Sequence, residues 1–297
     1  FANEVNIHTG GIGSSIGIYP GTKTQNDYKA KFEVRAKALP DEIKTAVYLM
    51  EEMLFGSKFE DEKRLYEIIA ELKSRLQVSI SSAGHSVAST RAMSYFSKAA
   101  AYKDSIQFYE LLCDLEAHFE EKKEMLTAKL RTLTKQIFTR ENLICSVTCD
   151  ENGYSNAKAA LESFLPKLFA TVDRRGKTEI IPERKNEGFM DASQVMYVAR
   201  AGNFRAHGYD YTGALRILKV IMEYDYLWIN IRVKGGAYGC MNGYMKNGDT
   251  YFASYRDPNL EKTNEIYNKI PDYIEHFTAD ERDMTKYIIG TLSDLDI

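Results

Sequence analysis

Arg232 and Tyr238 flank the adjacent glycines Gly235 and Gly236 in the stretch IRVKGGAYG, residues 231–239. A guanidinium is a permanent cation with a planar fork of N–H donors, and a phenol adds an O–H donor. Brought to one point, two such donors would polarise a peptide carbonyl and stabilise the oxyanion formed when it is attacked. The glycine pair permits the sharp reversal that would bring the two side chains together. The same residues also suit a glycine cap closing a buried helix, with Arg232 ion-paired and Tyr238 packed. Local sequence leaves both readings open.

Other candidate chemistry is weaker. The five histidines are His8, His85, His118, His207 and His276. None falls in H-E-x-x-H or H-x-x-E-H, the helical spacings that set two imidazoles on one metal beside a carboxylate. HFEEK at 118–122 comes nearest and lacks the second histidine. Neither G-x-S-x-G nor a P-loop occurs. GGIGSSIG at 10–17 leads into strand-like sequence, whereas a dinucleotide fingerprint needs a helix there. No catalytic residue, metal ligand or cofactor is therefore expected within this chain. His85, in SSAGHSVASTRA, reads as a buried, hydrogen-bonded residue at a tight helix junction. Asp257, in SYRDPN, reads as a helix N-cap with Pro258 at the first helical position. Cys145 and Cys149 alternate with Val147 in NLICSVTCD and read as one face of a strand core, not a metal site.

The elements that would position Arg232 and Tyr238 follow from hydrophobic periodicity. Residues 4–19 and 28–38 read as two strands, and 40–138 as mostly helical, with Pro40 in a first helical turn. A strand is expected at 142–149 and a helix at 155–171. The charged stretch VDRRGKTEIIPERKNEG is the best linker candidate. Beyond it, SQVMYVARAG reads as a strand, and 211–231 as a helix apolar nearly all round and so buried. AYGCMNGYMKNGDTYFASYRDPN reads as a hairpin turning at NGD, and 259–295 as two more helices.

An internal repeat runs through this pattern. TGGIG at 9–13, YKAKFEVRAKAL and two helices form one copy; KGGAYG at 234–239, TYFASYRDPNL and two helices form the other. The first copy lacks the strand and helix that precede the glycines in the second, and the second stops soon after its last helix. Duplicated α/β domains, both incomplete, are the expectation: 1–173, a linker at 174–187, and 188–297.

Bulk properties exclude more than they assign. A net charge of −3 gives no electrostatic reason to expect nucleic acid or an anionic membrane as partner. Charged residues interrupt every long apolar run, and FANEVNIHTGG at the start has no signal-peptide character. Four cysteines in 297 residues make no disulfide framework, which fits a reducing, cytosol-like compartment.

Taken in order, TGGI, SAGHSVASTRA, IRVKGGAYG and SYRDPNL resemble the pitrilysin/insulin-degrading-enzyme clan, specifically its presequence-protease subfamily in the insulinase family. The resemblance covers essentially the whole chain. It implies an α+β fold of the LuxS/MPP-like metallopeptidase type, with antiparallel-rich sheets covered by helices. Such enzymes have four homologous domains in two halves that close around a peptide; this chain resembles most of the third domain and the start of the fourth. The resemblance further implies that Arg232 and Tyr238 contact the substrate near the scissile bond, with Gly235 and Gly236 supporting them. Zinc would be bound by the N-terminal half of the same polypeptide. The implied partners are that half and peptide substrates. The chain departs from the family pattern in having neither zinc ligands nor the catalytic glutamate, so alone it is expected to be inactive. A non-catalytic scaffold or peptide-binding subunit of the same clan is the alternative. A bacterial cytoplasm, or otherwise an organelle matrix, is the expected location.

Overall fold

The computed structural model describes residues 1–22, 26–170, 180–190, 192 and 194–295. In chain order they form α1 (Ala2–His8), a hairpin of β1 (Ile12–Pro20) and β2 (Tyr28–Ala36), α2 (Ile43–Phe55), α3 (Glu62–Ser82), α4 (Gly84–Ser94) and α5 (Lys98–Ala101). Then follow α6 (Ser105–Ala117), α7 (Phe119–Ile137), α8 (Glu151–Phe164), β3 (Ala199–Asn203) and α9 (Ala214–Ile221). The chain ends with β4 (Gly239–Tyr244), β5 (Asp249–Tyr255), α10 (Glu261–Asn268), α11 (Ile270–Glu275) and α12 (Glu281–Ser293). The fold is α+β, with one two-stranded sheet and one three-stranded antiparallel sheet ordered β3-β5-β4.

Contacts divide the chain into two compact units. One comprises 1–17, 30–71 and 112–178; the other comprises 18–29, 72–111 and 179–297. In the first, α2 and α8 pack through small buried residues, Ala46 against the Ala157 and Ala160 side, next to an aromatic cluster of Phe55, Phe138, Phe164 and Phe169. Asp150 caps α8 by accepting from the Gly153 N–H at 2.8 Å, so that helix starts earlier than expected and gives way at Leu165–Lys167 to a 3-10 turn containing Pro166.

Two expected strands are absent. Residues 2–8 are helical: Glu4 and His8 stand one turn apart and pair at 3.4 Å, and His8 also reaches Glu42 at 3.0 Å. Residues 143–150 alternate as a strand should, but have no ladder partner, and Cys145 and Cys149 lie exposed. Period-2 alternation records which side chains share a face; it does not supply a neighbouring strand.

In the second unit the three-stranded sheet carries the core. Cys240 and Phe252 face Met222, Leu227 and Ile231, which are completely buried, with Tyr267 and Ile270 beside them. On the opposite face α4 packs on β3 and β5. There the His85 ring meets Tyr255 edge-on at 4.9 Å, and Gly84 lies so close to Tyr197 that a Cβ would fall 2.2 Å from the ring. His85 is half-buried, and its Nδ1 has no hydrogen-bond partner, contrary to the bonded histidine expected at this junction. The NGD hairpin forms, and Asn203, Asn247 and Asp249 join in a buried network that ties β3 to the turn. The tail makes three helices instead of two, because Pro271 cannot supply the N–H that would continue α10 into α11. The expected linker lies partly outside the described residues. Within it, Glu187 is held by Arg91 at 2.8 Å and by the Tyr95 hydroxyl at 2.5 Å.

Candidate functional site

The site begins with a helix that changes pitch. After Ile221, α9 continues as π-helical turns over Met222–Tyr226 and Trp228–Val233. The Leu227 N–H reaches back to the Met222 carbonyl, and the Lys234 N–H to the Ile229 carbonyl at 2.9 Å, both five residues apart. The buried positions accordingly run Met222, Leu227, Ile231, in steps of five and four. An α-helix would have brought other residues inward by this point. The wider turn keeps Ile231 in the core and sets Trp228 and Arg232 together on the outer side: the Arg232 guanidinium carbon lies 3.9 Å from the Trp228 ring centroid.

The glycines then close the helix. The Gly236 N–H donates to the Arg232 carbonyl at 2.9 Å, and the Ala237 N–H to the Ile231 carbonyl at 3.1 Å. This nested pair is one residue wider than the usual glycine cap, as the π turns require. Gly236 takes φ +81°, and a Cβ on Gly235 would sit 2.3 Å from the Ile231 carbonyl oxygen. Both positions therefore need glycine.

The downstream motif clamps this turn. Asn259 Nδ2 donates to the Gly235 carbonyl at 2.6 Å, and Lys262 Nζ to the Lys234 carbonyl at 3.3 Å. The Tyr238 N–H is shared between the carbonyls of Tyr255 and Arg256, at 3.0 and 3.3 Å. Asp257 does not cap a helix as expected, since α10 begins only at Glu261. Instead its fully buried carboxylate accepts from the Asn259 N–H at 2.8 Å and the Thr263 hydroxyl at 2.7 Å, anchoring the loop that carries Arg256 and Asn259.

The result is an open depression of about 640 Å³, lined by Trp228, Arg232, Tyr238 and Arg256 with Val195, Val233 and the Gly236–Ala237 backbone. Arg232 and Tyr238, with the supporting turn at Gly235 and Gly236, thus share one surface: the guanidinium lies 5.9 Å from the phenol ring centroid. Tyr238 is 67% exposed and stacks edge-on with Tyr255 at 5.8 Å. Arg232 has no ion-pair partner among the described residues. It is held by aromatic faces, which leave its N–H fork free to bind. Beneath it, burial first and then Glu223 push the Cys240 thiol up to about 12, while Arg232 opposes them. That thiol therefore stays neutral and is no nucleophile.

Sequence reasoning missed Trp228 and Arg256. Trp228 is the only tryptophan in the chain and stands four residues before Arg232, a spacing that places neighbours on a helix surface. Arg256 carried no signal beyond its place in SYRDPN. Among the described residues, no group of three or more His, Cys, Asp or Glu is placed to hold a metal ion, and no helix is long and apolar enough to cross a membrane.

Residues 1–115 match the family model for the domain associated with subfamily C of the M16 peptidases, and residues 186–297 match the PreP C-terminal domain. Protein HypA of Clostridium perfringens is 36% identical over 298 residues, covering 99% of this chain and 30% of that protein. Presequence protease 1, chloroplastic/mitochondrial, of Arabidopsis thaliana is 28% identical over 302 residues, covering 97% and 27%. The mitochondrial presequence protease of Drosophila melanogaster is 24% identical over 308 residues, covering 100% and 29%. The chain thus spans under a third of the length of each of these three relatives.

Proposed function

Since the chain belongs to the presequence-protease group of the pitrilysin-clan M16 peptidases and matches their C-terminal domains, we propose that it is the substrate-enclosing part of a zinc-dependent peptidase. In this reading the whole enzyme degrades peptides inside a closed chamber, and Arg232 and Tyr238 contact the peptide next to the scissile bond. The observation that carries it is the pairing of an unpaired guanidinium and an exposed phenol in one open depression, on a backbone fixed by Asn259 and the glycine turn. The described residues do not fit a zinc site. We assign the metal to the N-terminal half of the polypeptide, and that half and the peptide are the partners of this chain. The four free cysteines accord with a reducing compartment such as a bacterial cytoplasm.

Donors aimed at a carbonyl contribute most when charge develops on its oxygen. In the intact enzyme, Arg232→Ala and Tyr238→Phe should each lower kcat/KM on a quenched fluorogenic peptide by about 10-fold or more. Thermal melts of both variants should stay close to wild type, because neither side chain supports the buried core. Unchanged kinetics in both would reject substrate contact and leave the glycine turn as architecture.

A further inference from the structure

Arg256 is the one non-glycine among the described residues with a positive φ, at +49°. Arginine rarely adopts that conformation, and it persists only where neighbours over-determine it. Here they do. The following residue is bridged to Met196 by two backbone hydrogen bonds of 2.8 and 3.0 Å, its carboxylate is doubly bonded in the core, and the Arg256 carbonyl accepts from the Tyr238 N–H. The exposed side chain is delivered into the same depression as Arg232, with its guanidinium carbon 5.5 Å from the Tyr255 ring centroid.

Two guanidiniums therefore meet at one shallow cavity whose lining holds no carboxylate. Arginines elsewhere in this unit are satisfied: Arg91 pairs with Asp104 and Glu187, and Arg205 with Asp210. Arg232 and Arg256 instead rest on aromatic rings, and neither has an ion-pair partner among the described residues. Planar guanidinium forks match a carboxylate, and the apolar walls of Val195, Val233 and Ala237 reduce competition from water.

Resting on the reading of this site as a peptide-binding surface, we infer that Arg256, with Trp228 and Arg232, forms a subsite for a carboxylate of the bound peptide. That carboxylate is an acidic side chain or the free C-terminus, and Arg256 sets the preference for it.

The test uses the intact enzyme and one fluorogenic peptide in two series. In one, a single Glu is moved through each position and compared with Gln there; in the other, the free C-terminus is compared with its amide. At one placement the carboxylate form should exceed its neutral counterpart in kcat/KM by about fivefold, the worth of one well-placed ion pair near a surface. Arg256→Gln should bring that ratio to near one. So should Arg256→Gly, which keeps the positive φ without strain and covers the case in which glutamine misfolds there. Preference at an internal position identifies a side-chain carboxylate; preference only between acid and amide identifies the C-terminus. The inference is overturned if no placement shows a preference, or if the preference survives both substitutions. Arg232→Ala and Tyr238→Phe, measured on the neutral peptides, report on the underlying reading. If they lower kcat/KM while the carboxylate preference survives Arg256 substitution, only the subsite falls.

Discussion

Arg91 shows what a fully satisfied guanidinium looks like in this chain, and so what Arg232 lacks. It donates to Asp104 at 2.5 Å and to both carboxylate oxygens of Glu187 at 2.8 and 3.0 Å. Hydrogen bonding from Arg91, supported by Tyr95, holds the Glu187 carboxyl at about 2, below its ordinary 4.5. A depressed carboxyl stabilises the fold above its unfolded value, and that contribution is lost as pH falls from about 4.5 towards 2. Glu187→Gln should therefore lower Tm at pH 7 by about 2–4 °C, and the gap from wild type should close across that acid window in a series of melts. A gap that persists at the acid end would show that the pair acts by packing alone. At this scale Arg232 and Tyr238 were legible, because donor types flanking a glycine pair are a local signal. Trp228 depends on a helix face whose pitch the sequence does not announce, and Arg256 depends on a backbone conformation imposed from two residues away.

The decisive element is the π-helical run from Met222 to Val233. Hydrophobic periodicity located the helix but not its pitch, since a stretch apolar on nearly every side fits either winding equally well. Helices with a polar face, such as α3 and α7, were legible for the opposite reason: their charged residues fix the period. The unpaired segment 143–150 marks the converse limit, because strand alternation needs a partner that local sequence cannot name. The π run hands its register to the glycine turn, so the turn should be sensitive to single atoms. Gly235→Ala forces a Cβ against the Ile231 carbonyl and must shift backbone. It should destabilise the protein by about 1–3 kcal/mol and reduce kcat/KM nearly as far as Arg232→Ala does. Gly236→Asn, which tolerates a positive φ, should do much less on both counts. Equal losses for the two variants, by melt and by peptide assay, would mean that the turn tolerates side chains and does not set the position of Arg232.

At the scale of the whole molecule, the order hairpin, helix, helix recurs: β1, β2, α2 and α3 early in the chain, then β4, β5, α10 with α11, and α12. That recurrence was readable because each copy carries its own glycine pair and helical stripes. The make-up of the second compact unit was not. Residues 72–111 group with 179–297 through α4, whose Gly84 and His85 meet Tyr197 and Tyr255. No periodicity encodes a contact between residues more than 100 positions apart, and small residues such as Gly84 signal close approach without naming the partner. The sheet that carries Tyr238 is thus covered on its Tyr255 face by a helix from far earlier in the chain. A polypeptide limited to 186–297 would contain all three strands, the glycine turn and both arginines of the depression, yet would leave that face bare. Its β3 and β5 amides should exchange with deuterium at least about 10-fold faster than in a polypeptide of 72–297, the consequence of losing roughly 1.4 kcal/mol of local protection. Amides in the π-helical core around Leu227 and Ile231, which α4 does not touch, should change less. Equal protection of β3 and β5 in both polypeptides would show that the sheet stands without α4, and that the compact unit holding the site is the C-terminal segment alone.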